Sequence, residues 1–101
     1  MRSIPPELGE LYRAREAATE LFSSINRSFL SLTDAMPGLV EQARASGGDV
    51  DAKVARLEAI LQCSSNASRL AGEHVDKISR RIEEWLASPV YKFWNGDYED
   101  I

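Results

Sequence analysis

Apolar residues recur at alternating intervals of three and four along two long stretches of this chain, and this spacing limits the fold more than any other feature. Such spacing places every position of a stretch on one stripe of an α-helix. Because it persists over several heptads, it predicts two long helices with a coiled-coil type of seam. The first stripe is Leu8, Leu11, Arg15, Ala18, Phe22, Ile25, Phe29, Leu32 and Met36, and the second is Val50, Val54, Leu57, Leu61, Ser64, Ser68, Ala71, Val75, Ile78, Ile82 and Trp85.

Proline and glycine set the predicted helix boundaries. The first helix is predicted over residues 5–36, because a proline at a helix start loses no hydrogen bond. Pro37 and Gly38 are expected to end or kink it, since proline clashes with the preceding turn. Residues 38–46 are then predicted to form a short helix or a kinked continuation.

Two glycines and an aspartate precede the last predicted helix. Gly47 and Gly48 are expected to end the preceding segment, and Asp49 can accept from the first amides of a helix over residues 49–88. Pro89 stops this helix, which leaves an aromatic and acidic tail over residues 89–101.

These elements predict an all-α fold in a single domain over residues 1–101, a long antiparallel helical hairpin with a short intervening helix, of coiled-coil or helical-bundle type. The two stripes align over nine layers, with Met36 opposite Val50, Ala18 opposite Ser68 and Leu8 opposite Ile78. A shift by one heptad gives another register of the same phase, which the thirteen-residue connection could permit.

Charge and composition narrow the classes of partner. Sixteen acidic against twelve basic residues give a net charge of −4, which repels a phosphate backbone, so we expect no nucleic-acid partner. No apolar run approaches the roughly 20 residues of a membrane span, and no N-terminal signal peptide is evident. One cysteine cannot form an internal disulfide. We expect an intracellular, cytoplasmic location, with the nucleus as the alternative.

The residues that carry chemistry are few. Cys63 and His74 lie about three helical turns apart, too far to act together, and a zinc site wants about four ligands. We therefore expect no metal, no cofactor and no small-molecule substrate. Arg15 interrupts its stripe, and its guanidinium can reach solvent, pair with Glu16 or Glu73, or bind an anion.

Additional apolar residues widen each stripe beyond what one neighbouring helix can cover. At about 25 cal/mol per Å² of apolar area, leaving them in water forfeits a few kcal/mol, comparable to the net stability of a small domain. They are therefore predicted to bind a partner. The candidate residues on the helices are Tyr12, Leu21, Leu30, Ile60, Leu70 and Leu86, with Ala67 beside them.

The C-terminal end is rich in aromatic residues, with five of the eight aromatics in the last seventeen positions. Tyrosine and tryptophan often carry interface energy, so this segment is predicted to dock on another chain. The alternative is that it folds back and caps its own bundle. The residues are Trp85, Tyr91, Phe93, Trp94 and Tyr98.

Together these features favour a non-enzymatic protein-interaction subunit or adaptor of a helical coiled-coil assembly, with other helical chains as partners in a homo- or hetero-oligomer. The alternative is a homodimeric four-helix bundle that acts as a chaperone or regulator of a client protein. A small all-helical enzyme with Arg15 in an anion pocket is the least favoured hypothesis, because no second lysine or arginine lies on either stripe.

Overall fold

The computed structural model describes residues 5–89, which form two long helices. Helix α1 spans Pro6–Ala45 and helix α2 spans Val50–Leu86. The molecule is extended, only 19 × 15 Å in its two shorter dimensions. The prediction of an all-helical, elongated chain is confirmed for this part of the sequence. Neither α1 nor α2 contains a segment long and apolar enough to cross a membrane.

The predicted short middle helix is not present, because α1 continues through Pro37 to Ala45. Proline has no N–H to donate to the carbonyl of Thr33, four residues earlier. Both residues are exposed, so water can bind that carbonyl, and the lost hydrogen bond does not stop the helix. Met36, Leu39 and Val40 are half-buried on either side of the proline, and their packing holds the helical conformation.

A tight turn joins the two helices. Gly47 and Gly48 have φ values of 75° and 76°, in the left-handed region that side chains with a β-carbon disfavour. Asp49 Oδ1 accepts a hydrogen bond from the Ala52 amide at 3.1 Å, so the predicted N-cap is present. Lys53 Nζ folds back and donates to Ser46 Oγ at 2.8 Å and to the Gly47 carbonyl, which ties α2 to the end of α1.

The predicted stripes are the surfaces through which α1 and α2 contact each other. Every residue of both stripes is buried or half-buried. The most buried cluster, Leu8, Ala18, Ile78 and Ile82, lies where the start of α1 meets the end of α2. Leu8 and Ile82 are almost fully enclosed. The core is thin, as expected for two helices side by side.

The register of these contacts differs from the nine-layer alignment by about one heptad. Ser68 Oγ donates to Asn26 Oδ1 at 2.9 Å, whereas the alignment placed Ser68 opposite Ala18. Gly72 likewise lies beside the ring of Phe22. The reason is the continuity of α1: a turn of a few residues brings the last turn of α1 level with the first turn of α2. The shift also brings Trp85 over the start of α1, against the buried cluster.

Candidate protein-binding surface

Five large apolar side chains remain exposed on the helices. Leu21, Ile60 and Leu70 are 57%, 54% and 55% exposed, Leu30 is 52% exposed and Leu86 is 37% exposed. All five were predicted as binding residues. Leucine and isoleucine side chains that are half in water are common singly on protein surfaces, so their arrangement matters more than their number.

Leu21, Ile60 and Leu70 share one side of the molecule. Near the turn, a shallow groove of about 450 Å³ is lined by Gln42 of α1 and by Lys53 and Arg56 of α2. Positions seven apart lie in one column along a helix in a coiled-coil seam. On α1, this spacing places Leu21 in the same column as Gln42. On α2, it places Ile60 in the same column as Lys53. It also places Leu70 in the same column as Arg56. The side that carries the groove therefore carries all three exposed residues.

The middle of this side has no charged residue, and we call it the uncharged flank. His74 supplies its one imidazole ring, and Cys63 supplies its one thiol. Except for Leu21, the residues that α1 contributes are small, whereas α2 contributes two large branched side chains. The uncharged flank consists of Ala14, Ala17, Leu21, Ser24, Ser28, Ser31 and Ala35 on α1 and of Ile60, Cys63, Ala67, Leu70 and His74 on α2, all of them exposed.

The opposite flank differs from the uncharged flank, because side chains of α1 and α2 contact each other there. The Asn26–Ser68 hydrogen bond and the Phe22–Gly72 contact lie there. Asn26, Gly72 and Ser79 are half-buried on this side, and α2 carries the exposed charged residues Glu58, Arg69, Asp76 and Glu83 along it. Leu30 is its exposed apolar residue on α1. By the same heptad spacing Leu86 lies in the column of Gly72, so the opposite flank holds two of the five exposed apolar residues. The uncharged flank holds the other three, without charged residues between them.

Two predicted binding residues already pack within the molecule. Tyr12 and Trp85 are half-buried against the buried cluster. The heptad shift accounts for the placement of Trp85, because it brings this residue over the start of α1. Leu86, next in sequence, is among the exposed residues. The other predicted aromatic residues, Tyr91, Phe93, Trp94 and Tyr98, lie outside the described residues.

Arg15 lies beside an aromatic ring. Its guanidinium carbon is 5.3 Å from the centroid of the Tyr12 ring, a distance at which cation–π attraction operates. Glu73, one of the carboxylates considered as its partner, instead accepts from Arg69 at 3.0 Å. Arg15 is half-buried, consistent with a stem that packs on the seam while the guanidinium stays near solvent.

Among residues 5–89, no three or more His, Cys, Asp or Glu side chains are grouped so that they could hold a metal ion. The exposed thiol of Cys63 and the exposed His74 occupy different columns of α2, about three turns apart.

The small residues of the uncharged flank were not identified as site residues from the sequence, apart from Ala67. A signal for them exists: from residue 14 to residue 35 the two α1 columns carry no charge. They hold Ala14, Leu21, Ser28 and Ala35 and, beside these, Ala17, Ser24 and Ser31. This absence of charge in adjacent heptad columns is visible in the sequence alone.

No family model, no curated protein and no solved structure matches this chain.

Proposed function

We propose that this chain is a protein-interaction subunit, or adaptor, of a helical assembly. In this proposal α1 and α2 act as an antiparallel hairpin of the coiled-coil type that binds partner helices through apolar helix faces. The aromatic C-terminal segment, with Tyr91, Phe93, Trp94 and Tyr98, is a second docking element. The observation that carries the proposal is the clustering of Leu21, Ile60 and Leu70 on one uncharged flank.

The two helices leave large apolar side chains uncovered. Full burial of a leucine or isoleucine side chain contributes about 1.5–3 kcal/mol, so side chains that are half exposed retain about half of that. Three of them on one flank therefore leave a few kcal/mol of burial free energy unrealised, which is a large share of the net stability of a small domain. A partner helix that covers the flank would recover this free energy.

The shape of the flank also favours a helical partner. Small side chains along α1 allow another backbone to approach closely, and the larger side chains of α2 can enter spaces between residues of the facing helix. A folded globular surface would meet this narrow, straight flank over a short length, whereas a helix can follow it over many turns.

Capture of partners from the native cells tests the proposal. The tagged full chain is compared with Leu21→Glu/Ile60→Glu, and Leu30→Glu on the opposite flank is the control. Bound proteins are quantified by mass spectrometry, and each candidate is then purified and titrated against the three forms. Circular dichroism verifies that helical content is retained.

We expect the flank variant to lose a specific helical partner that the control variant retains. Deletion of residues 90–101 should weaken capture of a further chain without loss of helicity. Equal capture by the wild-type chain, the flank variant and the form that lacks residues 90–101 would contradict the proposal.

A further inference from the structure

We propose that the occupant of the uncharged flank is a second copy of this chain, placed so that α1 of each copy packs against α2 of the other and both hairpins point the same way. This inference rests on the proposed function, because it names the partner of the same surface. It gives a four-helix bundle with two-fold symmetry, in which the symmetry axis runs along the helices.

Side-chain volumes on the flank are self-complementary in this arrangement. The observed Asn26–Ser68 and Phe22–Gly72 pairs define which positions of α1 and α2 are level. By the same register Leu70 is level with Ser24, and Ile60 is within one residue of the level of Ala35. Two-fold rotation about the helix direction keeps these levels. Each large residue of α2 thus meets small residues of the partner's α1.

Charges at the end of the flank favour the same orientation. Beyond the uncharged flank, the same side of the molecule carries Glu7 and Glu10 near the start of α1. Near the end of α2 it carries Lys77, Arg81 and Glu84. When α1 lies on the partner's α2 with levels kept, Glu10 is about one turn from the level of Arg81 and about two turns from that of Lys77. Glu84 is level with Glu10, but the facing groups still carry opposite net charge, since two glutamates of α1 meet two cations and one glutamate of α2. Interfaces are oriented by such juxtaposition of opposite charge.

The reversed orientation is disfavoured by the same groups. If α2 lay on the partner's α2 with the hairpins head to tail, Lys77 and Arg81 would approach the level of Lys53 and Arg56 of the other copy. These are four cations, and like charges placed across an interface cost free energy. The charge pattern therefore distinguishes between two packings that bury the same leucines.

The area of the flank suits a stable dimer. With the polar and charged positions beyond its two ends included, from Glu10 to Gln42, the face that the second copy covers is about 48 Å long at 1.5 Å per residue, and the molecule is 19 Å wide. Their product is on the order of 900 Å², close to the roughly 800 Å² that each partner contributes to a standard specific interface. The opposite flank, with its four charged positions along α2, offers less apolar surface of this extent.

Sedimentation equilibrium of the purified full chain tests whether the second copy binds. The wild-type chain should form a discrete dimer. Leu70→Glu should weaken it by at least about a hundredfold, because a symmetric dimer contains the substitution twice. Leu30→Glu introduces the same change at a residue of similar exposure on the opposite flank, and it should leave the dimer unchanged.

Cysteine cross-linking tests the orientation. Ser31 is level with Cys63, so the thiol introduced by Ser31→Cys should form a disulfide with Cys63 of the partner subunit under oxidised glutathione. Ser23→Cys, on the opposite flank, is the control and should give no covalent dimer. Efficient cross-linking of the wild-type chain through Cys63 alone would overturn the proposed orientation, because α2 would then lie on α2.

The outcomes separate this inference from the proposed function. A wild-type chain that is monomeric over the whole concentration range overturns the dimer, as does a dimer that Leu70→Glu and Leu30→Glu weaken equally. In either case, flank-dependent capture of a different helical chain still supports the adaptor function. A flank-dependent dimer that captures no other chain supports this inference and contradicts the adaptor function.

Discussion

Phe22 lies so close to Gly72 that a β-carbon on the glycine would be 3.3 Å from ring atom Cε1. This separation is tighter than an ordinary van der Waals contact, so the absence of a side chain at Gly72 lets α1 and α2 approach each other at this level. Glycine within a helix otherwise lowers stability by about 1 kcal/mol relative to alanine. The contact with Phe22 therefore offsets an intrinsic disadvantage.

Gly72→Ala should stabilise the protein by less than about 0.5 kcal/mol, because the gain in helix propensity is largely cancelled by displacement of the half-buried Phe22 ring. The free energy of unfolding is measured by urea titration. Gly38→Ala is the matched control. No atom lies within 4 Å of a β-carbon at that position, so we expect the full gain of about 1 kcal/mol. Equal gains at both sites would contradict the close approach of the helices at Gly72.

Ser68→Ala should destabilise the protein relative to Ser64→Ala by about 1 kcal/mol. Ser68 is buried and donates to Asn26, and its removal leaves the half-buried amide oxygen of Asn26 without this donor. Ser64 is half-buried on the same stripe, so both substitutions change helix propensity equally. The difference between the two unfolding free energies isolates the hydrogen bond. If the helices adopted the unshifted register, with Ser68 beside Ala18, the two variants would have similar stability.

The stripes could be predicted from the sequence because they depend on a local period. A residue such as Ile25 or Leu61 is placed on its face of the helix by its neighbours along the chain. The register could not be predicted in the same way. Heptads of equal phase align equally well after a shift of seven residues, and the choice between registers is made by the length of the turn and by the Asn26–Ser68 pair.

The candidate binding residues also fall into two groups, those whose exposure could be predicted from the sequence and those whose placement depends on the register. Leu21, Leu30, Ile60 and Leu70 lie off the stripes whatever the register, and their exposure follows from helical geometry alone. The half-burial of Trp85 depends on which part of α1 it meets, and that contact is set by the shift. The common side of Leu21, Ile60 and Leu70 likewise requires knowledge of how both helices are oriented about their axes.

Asp49→Ala should lower the free energy of unfolding by about 1 kcal/mol, because the Ala52 amide loses its acceptor at the start of α2. Asp51→Ala is the matched control. Asp51 also lies near the positive end of the helix dipole, but it is not the capping residue, so its loss should cost roughly 0.3–0.5 kcal/mol. Thermal unfolding followed by circular dichroism measures both. Equal costs would indicate that general helix-dipole electrostatics, and not the specific cap, stabilises the start of α2.

Pro37→Ala should stabilise the protein by about 2–3 kcal/mol with little change in helical content. The new amide can donate to the carbonyl of Thr33, and the helix that receives this hydrogen bond is already formed on both sides. Pro6→Ala, in the first turn of α1, is the control and should change stability by less than about 0.5 kcal/mol, because an N–H there has no acceptor within the helix.

Urea titration and far-ultraviolet circular dichroism together distinguish a continuous α1 from a broken one. If the chain had a separate short helix after Pro37, the substitution would join two segments, and helical content would rise along with stability. A rise in stability at constant helical content is expected only when α1 already passes through Pro37. That continuity is what shortens the turn and moves the register by a heptad, so this measurement also tests the alignment of Ser68 with Asn26.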